Sequence, residues 1–192
     1  FALEDALKAD SVKAVQRLKA QGIKIMMLTG DNQATAQRVA TLVAVDDYAY
    51  ELMPQDKLDK IKQLQNQGLV VAMVGDGIND APALSQANVG FAMGQGADVA
   101  IESADLCLIN SSLHGVADAI ELSHATLRNI KQNLWGAFAY NTLGIPIAAG
   151  VLFPLTGILL SPMLAALAMS LSSVTVVTNA NRLRFFKPST RN

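Results

Sequence analysis

The sequence predicts an α/β domain with a parallel sheet, followed by a hairpin of two transmembrane helices. Short apolar runs alternate with amphipathic helical patterns over residues 1–110, which is typical of parallel strands connected by helices. Residues 132–181 then form 50 consecutive positions without Asp, Glu, Lys, Arg or His. Because one bilayer crossing needs about 20 apolar residues, this stretch accommodates two crossings and a tight connection.

The individual elements follow from the spacing of apolar residues and from the residues that end each run. Helices repeat apolar side chains every three or four positions, whereas the strands are short apolar runs that stop at Gly, Asp or Thr. Cys107 lies in the last strand, where we expect it to be buried. Helices are predicted at Ser11–Gln21, Asn32–Val43, Gln55–Gln67, Ala83–Gln86 and Ala97–Glu102, and strands at Ile23–Leu28, Tyr48–Leu52, Leu69–Val74, Val89–Met93 and Leu106–Ile109.

The membrane hairpin begins inside a longer helix. The helical pattern that starts at Leu113 passes Gly115 and then reaches the uncharged stretch without another Gly or Pro before Gly136, so one helix is predicted to leave the soluble domain and enter the bilayer. The spans and the turn are predicted at Leu134–Phe153, Pro154–Gly157 and Leu159–Asn179.

Charge is divided unevenly between the two parts. Residues 1–126 hold all 16 acidic side chains and nine of the 15 basic ones, whereas residues 127–192 hold six basic and no acidic side chains. We therefore predict a domain boundary after residue 126. The acidic domain cannot neutralise phosphates over an extended surface, so no nucleic-acid partner is expected. Basic residues flank both ends of the hairpin, which predicts contact with membrane lipid and cytoplasmic ends.

Two polar turns follow apolar strands, and ligands of parallel sheets bind at the carboxyl ends of the strands. The first turn is Thr29–Asn32 and the second lies in Gly75–Leu84 (GDGINDAPAL). In the second turn, Gly75 and Gly77 allow the backbone to approach a phosphate. Asp76 and Asp80 are spaced to serve one hard cation, and carboxylates with phosphate oxygens are what Mg²⁺ prefers.

The segment Gly75–Leu84 matches without a gap the GDGxNDxPAL signature of the P-type cation-transporting ATPases, which this chain resembles. Thr29–Asp31 matches their TGD element, and Pro54–Lys57 matches a proline followed by a lysine. The phosphorylation domain of that family has a haloacid dehalogenase-like fold. The resemblance therefore implies that residues 1–126 form the distal part of such a domain and that Mg²⁺ and ATP are the cofactors.

The resemblance also implies a role for each matching residue. Asp76 would coordinate Mg²⁺, and Asp80 would hold the metal site and Lys57 in place. Lys57 would neutralise charge on the transferred phosphoryl group. Hydrogen bonds to that group would come from Thr29, next to Gly30 and Asp31 of the TGD element, and from Asn79.

One part of the family pattern does not occur in this sequence. The nucleophile of these ATPases is an Asp in a DKTGT motif, and no DKTGT is found here. The expectation is that the chain is a carboxy-terminal fragment of a larger pump, that it is inactive alone, and that the remaining domains of the pump are its partners.

The transported ion is predicted from the uncharged spans. A thioether selects a soft monovalent metal such as Cu(I), and Met169 lies in the second span. Tyr140 and Asn141 in one helix, with Met169 and Ser173 in the next, resemble the ion-site residues of the copper-exporting heavy-metal subgroup. The zinc and cadmium subgroup instead has an Asp in its final helix. The resemblance implies Cu(I) export across a bacterial plasma membrane.

Two other interpretations stay open on the sequence. One is a membrane-anchored phosphatase with the same fold, which would need its own nucleophilic Asp. The other is a catalytically inactive membrane fragment with a binding or regulatory role.

Overall fold

The computed structural model describes residues 8, 10–76, 78–94, 101–110, 112–157 and 161–188. The chain divides into two compact units, Phe1–Asp118 and Ala119–Asn192. The domain boundary predicted after residue 126 falls inside a long helix of the second unit, and it stays a prediction.

The first unit alternates strands with helices, and every strand pairing is parallel. The described strands form two sheets, one in the order β1-β2 and one in the order β3-β4-β5. This arrangement confirms the predicted parallel α/β class. The helices are α1 (Ser11–Ala20), α2 (Gln33–Val43), α3 (Pro54–Asn66) and α4 (Ala81–Gln86); the strands are β1 (Met26–Leu28), β2 (Asp47–Ala49), β3 (Ala72–Gly75), β4 (Val89–Met93) and β5 (Leu106–Leu108).

A small apolar core connects α3, α4 and β3. Its buried members are Ile61, Met73, Ala83 and Leu84, and Leu28 at the end of β1 packs against them. The core therefore contains the last residue of β1 and a residue of β3. Since these strands precede the two polar turns, the same packing positions both turns.

Several predictions about the strands are wrong. The strand predicted at Ile23–Leu28 starts at Met26, and the one predicted at Tyr48–Leu52 ends at Ala49. The strand predicted from Leu69 starts at Ala72, and Leu69 and Val70 are 51% and 85% exposed. The Leu69 N–H instead donates to the Leu64 carbonyl at the end of α3 (3.3 Å). Cys107 is exposed rather than buried, although β5 pairs with β4. Most of the helix predicted at Ala97–Glu102 lies outside the described residues.

The remaining helices belong mainly to the second unit, and the first of them begins in the first unit at His114. Helix α5 (His114–Ala148) is continuous, as the apolar spacing from Leu113 predicts, and it is followed by α6 (Phe153–Thr156) and α7 (Pro162–Asn181). Among the described residues, one helix is long and apolar enough to cross a membrane, Met163–Phe185. Helix α5 ends at Ala148, five residues before the predicted end of the first span, and most of the turn predicted at Pro154–Gly157 is instead the short helix α6. The first span stays a prediction.

Candidate functional site

A buried ion pair joins α3 to the turn that follows β3. The Lys57 Nζ donates to the Asp80 Oδ1 at 2.8 Å, and the two side chains are only 16% and 13% exposed. Asp80 ends a 3₁₀ turn, Ile78–Asp80. It also lies against Gly75, where an added Cβ would be 2.7 Å from the Asp80 Cβ. A glycine is therefore required at the end of β3 for Asp80 to reach Lys57.

The turn after β1 is closed by its own side chains. The Thr29 Oγ1 donates to the Asp31 Oδ2 at 2.8 Å, and the Asp31 N–H donates back to the Thr29 Oγ1 at 3.1 Å. Gly30 between them is exposed. To donate to a phosphoryl group, the Thr29 hydroxyl has to turn away from Asp31.

The start of α3 connects this turn to Lys57. The Thr29 carbonyl accepts from the Leu52 N–H at 3.1 Å, and the Asp31 carbonyl accepts from the Glu51 N–H at 2.8 Å. The next residue, Met53, donates its N–H to the Asp56 side chain (2.8 Å) and caps the helix that carries Lys57.

Glu51 was missed by the sequence analysis. It adopts φ +52°, a left-handed backbone conformation that is uncommon for residues other than glycine. Glu51 lies in the loop before α3, and in this conformation its N–H donates to the Asp31 carbonyl. No local sequence signal predicts it, because the residue is neither Gly nor Asn.

Asp76 directly follows β3, and both Asp76 and Asn79 are exposed. Gly77, which was predicted to approach a phosphate, lies outside the described residues. In the part of the chain that the structure describes, no hydrogen bond or ion pair joins the Thr29–Asp31 turn to the Lys57–Asp80 pair.

The oxygen donors that follow β3 can meet only part of what Mg²⁺ requires. The described residues contain no group of three or more His, Cys, Asp or Glu side chains that could hold a metal ion. Mg²⁺ usually keeps several waters and takes one or two protein carboxylates plus phosphate oxygens. The exposed Asp76 carboxylate fits this requirement as one protein ligand, with further oxygens from a phosphate and from water. Asp80, which is paired with Lys57, lies against the preceding Gly75.

The four residues predicted to bind the transported ion lie on two helices. Tyr140 and Asn141 are exposed on α5, and Met169 and Ser173 are exposed on α7. The Asn141 amide donates to the Ala137 carbonyl (3.0 Å), and the Ser173 hydroxyl donates to the Met169 carbonyl (3.3 Å). Within the described residues, no hydrogen bond crosses between the two pairs.

The two pairs lie at similar depth along their helices. The Asn179 side chain of α7 donates to the Asn133 Oδ1 of α5 at 2.8 Å. From this contact Tyr140 and Asn141 are about 10 and 12 Å along α5, and Ser173 and Met169 are about 9 and 15 Å along α7, at 1.5 Å per residue. The short connection at residues 149–161 requires the helices to be antiparallel, so both distances run toward the same end.

The first unit and the whole chain were compared with known proteins. The haloacid dehalogenase-like hydrolase family model matches residues 1–88. A copper-exporting P-type ATPase of Vibrio cholerae serotype O1 is 57% identical over 189 residues, which are 98% of this chain and 21% of that protein. The chain belongs to the P-type ATPases. The probable copper-transporting ATPase PacS of Synechocystis sp. is 55% identical over 98% of this chain and 25% of its own length.

A solved P-type ATPase structure confirms the fold of the segment. A zinc-transporting PIB-type ATPase in an E2.Pi state has a TM-score of 0.81 at 40% identity, over 94% of this chain and 28% of that chain. The present P-type ATPase segment thus spans about a quarter or less of the length of the curated relatives it matches. The haloacid dehalogenase-like fold is confirmed for its first unit.

Proposed function

We propose that the complete protein containing this chain exports Cu(I) by ATP hydrolysis through an aspartyl-phosphate intermediate. The observation that carries the proposal is the Lys57–Asp80 pair, held at 2.8 Å beside Gly75 at the carboxyl end of β3. Phosphoryl transfer depends mainly on positioning and on stabilising charge. A mostly buried carboxylate holds the Lys57 ammonium in one place, which provides such a fixed positive charge.

Residues around this pair supply the remaining groups. Asp76 is exposed beside β3, where its carboxylate would hold Mg²⁺. Bound Mg²⁺ supplies positive charge to phosphate oxygens. Asn79 offers its amide to a phosphoryl oxygen, and Thr29 offers its hydroxyl once it has turned away from Asp31.

The attacking carboxylate and the nucleotide-binding groups come from other parts of the protein, because this sequence has no DKTGT motif. The sheet supports this assignment. Leu28 of β1 and Met73 of β3 pack on one core, and each of these strands pairs on one side only among the described strands. A further parallel strand between them would end near Thr29 and Asp76. On this proposal the chain alone forms no phosphoenzyme.

The choice of Cu(I) is supported by the chemistry of the second unit. Its described helices α6 and α7 contain no acidic residue, and the Met169 thioether suits a soft cation. Tyr140, Asn141 and Ser173 lie at similar depth. The two bacterial relatives named above carry names that describe copper export or transport. Basic residues at both ends of the hairpin favour cytoplasmic ends, and we assign the helices to a bacterial plasma membrane.

The phosphoryl-transfer step is tested by Asp76→Asn in the full-length protein. Membranes are incubated with ATP labelled at the γ-phosphate and Mg²⁺, and acid-stable, hydroxylamine-sensitive label is measured. We expect label in the wild type and in the control Asp59→Asn, an exposed aspartate on α3, and none in Asp76→Asn. Equal labelling of Asp76→Asn and wild type would contradict the assigned role.

The cargo is tested separately with Met169→Ala and the control Met163→Ala, another exposed methionine of α7. Cu(I)-stimulated ATP hydrolysis and Cu(I) uptake are measured in inverted membrane vesicles. Met169→Ala is expected to lose both, whereas Met163→Ala keeps both. A phosphoenzyme that forms without any response to Cu(I) would refute the cargo and leave the aspartyl phosphate in place.

A further inference from the structure

Three asparagines form a closed set of hydrogen bonds between α5 and α7. The Asn133 amide donates to the Asn129 Oδ1 (3.1 Å), and the Asn129 amide donates to the Asn179 carbonyl (2.7 Å). The Asn179 amide completes the set by donating to the Asn133 Oδ1 at 2.8 Å. These three residues form an asparagine cluster.

The polar atoms of the cluster have hydrogen-bond partners, and one of its three residues is buried. Asn129 is 8% exposed, and Asn133 and Asn179 are partly buried. The Asn179 Oδ1 also accepts from the Arg182 guanidinium at 3.1 Å. Each side-chain amide thus donates at least once, and each side-chain oxygen accepts. A buried amide left without a partner is unfavourable, so these bonds are expected to persist together.

The cluster determines the register of the two helices. Asn129 and Asn133 are one turn apart on the same face of α5, and both bind the single residue Asn179 of α7. A shift of α7 by one residue moves Asn179 about 1.5 Å along the axis, and it lengthens one of the two interhelical bonds while it shortens the other. The two bonds therefore specify one axial position rather than a range.

We propose that the asparagine cluster positions the residues that bind the transported ion. It sets the axial position of α5 against α7, and it thereby keeps Tyr140 and Asn141 at the depth of Met169 and Ser173. This inference rests on the proposed function, because it assigns these four residues to the Cu(I) site. The asparagines themselves do not contact the ion, since Tyr140 is about 10 Å beyond Asn133 along α5.

The cluster acts on ion binding more than on the chemistry of phosphoryl transfer. A change in axial register alters the distances between the ion ligands of α5 and those of α7, and small misplacements of binding groups have large effects. The Lys57 and Asp80 side chains are joined by their own contact in the first unit. Loss of the cluster should therefore raise the Cu(I) concentration required for activity and leave the maximal rate nearly unchanged.

The test uses the full-length protein in vesicles with Asn133→Ala, Asn179→Ala and the double variant. Two controls come from neighbouring positions that lie outside the cluster and are exposed, Asn181→Ala and Gln132→Ala. ATP hydrolysis is measured against buffered free Cu(I), which separates the half-saturating concentration from the maximal rate. Thermal unfolding of each purified variant is followed in parallel. Asn133→Ser replaces Asn133→Ala if the alanine variant does not fold.

We expect each single variant to raise the half-saturating Cu(I) concentration by about tenfold, with a maximal rate within about twofold of the wild type. The double variant should be no worse than the worse single variant, because both break the same closed set of bonds. The two controls should match the wild type.

Three results would overturn the inference. One is an unchanged half-saturating concentration in folded cluster variants of a wild type that responds to Cu(I), which leaves the proposed function standing. The second is a loss of maximal rate and thermal stability with no change in half-saturation, which indicates a purely structural role. The third is a wild type without any Cu(I) response, which refutes the proposed function as well.

Discussion

Lys57 and Asp80, 23 residues apart in sequence, meet at 2.8 Å in a contact that is largely closed to solvent. Asp80 occupies this position because Gly75 leaves room for it, so three residues from α3, β3 and the following turn form one unit. The ammonium is thereby fixed at the end of the strand that precedes Asp76.

Replacing Gly75 by alanine is expected to disturb this unit. The new Cβ would lie 2.7 Å from the Asp80 Cβ and 2.8 Å from its Oδ2, so Asp80 must move away from Lys57. We expect the free energy of unfolding to fall by about 1–3 kcal/mol, the usual effect of overpacking. Urea unfolding of the detergent-solubilised chain measures it.

Gly30→Ala is the matched control for Gly75→Ala. At Gly30 an added Cβ would have the Leu52 carbonyl oxygen as its neighbour at 3.4 Å, which is an ordinary contact. Its unfolding free energy should stay close to that of the wild type. A Gly75→Ala variant as stable as Gly30→Ala would show that the turn can move without loss.

The ion pair itself is expected to contribute to stability. Lys57→Met leaves the Asp80 carboxylate, 13% exposed, without its ammonium. Since hydrogen bonds to charged groups contribute about 1.5–3 kcal/mol, we expect a loss of that size in the unfolding free energy of Lys57→Met. Asp80→Asn should also be destabilised.

A double-mutant cycle isolates the interaction between these two residues. The Lys57→Met/Asp80→Asn variant should be less destabilised than the sum of the single variants, because the second change removes a group that the first left unpaired. Strict additivity in the measured unfolding free energies would mean that the pair contributes nothing to the fold.

The Asp10 carboxylate is expected to make the free energy of unfolding of the first unit depend on pH. The hydrogen bond from the Ser112 hydroxyl, with smaller contributions from the Asp10 backbone and the His114 and Lys8 charges, lowers the pKa of Asp10 below its ordinary 3.8. A depressed pKa stabilises the folded state above 3.8, and this contribution disappears as the pH falls through the folded-state value.

Asp10→Asn tests this dependence because it keeps the shape and removes the titration. The stability difference between wild type and variant should be constant above about pH 5 and should shrink below pH 3.8. The carboxylate is only slightly buried, so the whole effect is expected to stay below about 1 kcal/mol. Urea unfolding of wild type and Asp10→Asn between pH 3 and pH 7 measures this difference. If the unfolding free energies of the two change with pH in parallel, the Asp10 carboxylate does not contribute to the pH dependence.

The end of α2 offers a stabilising substitution. Ala44 is the C-cap residue and adopts φ 59°, ψ 44°, a left-handed conformation that is unfavourable for residues with a Cβ by roughly 1–2 kcal/mol. Ala44→Gly relieves this, and the extra freedom of glycine in the unfolded chain offsets about 0.4–1 kcal/mol of the gain. We expect a net gain of about 0.5–1 kcal/mol.

Ala34→Gly serves as the control for Ala44→Gly. Ala34 is an exposed residue inside the same helix, where glycine is unfavourable by up to about 1 kcal/mol. The midpoint temperature of thermal unfolding should therefore rise for Ala44→Gly and fall for Ala34→Gly. A lower midpoint temperature for both variants would mean that the free energy of backbone strain at Ala44 is smaller than the conformational-entropy cost of ordering the added glycine.

The local pattern of the chain predicts much of the fold. The apolar periodicity placed α1, α2 and α3 within one residue at each end, and it predicted the strand Val89–Met93 as the structure has it. It also predicted the continuous α5. These elements are predictable because each one buries a single face, and the apolar residues of that face recur at regular intervals in the local sequence.

Strand limits at the edge of the core were less predictable. Leu69 and Val70 are as apolar as a buried strand, yet they lie outside β3 and are exposed. Whether an apolar residue is covered depends on which elements pack above it, and composition carries no information about that. The same reason applies to Cys107 in β5.

The sequence by itself determined the alternation of strands and helices, the uncharged stretch, the charge difference between the two parts and the motif at Gly75–Leu84. Only the tertiary structure decided the axial register of Asn129 and Asn133 against Asn179, and the left-handed backbone of Glu51 beside the Asp31 carbonyl. Contacts between segments 50 residues apart depend on how two separately formed elements pack. The spacing of apolar side chains predicts which face of one helix or strand is buried. It does not predict where a second helix or strand lies against that face.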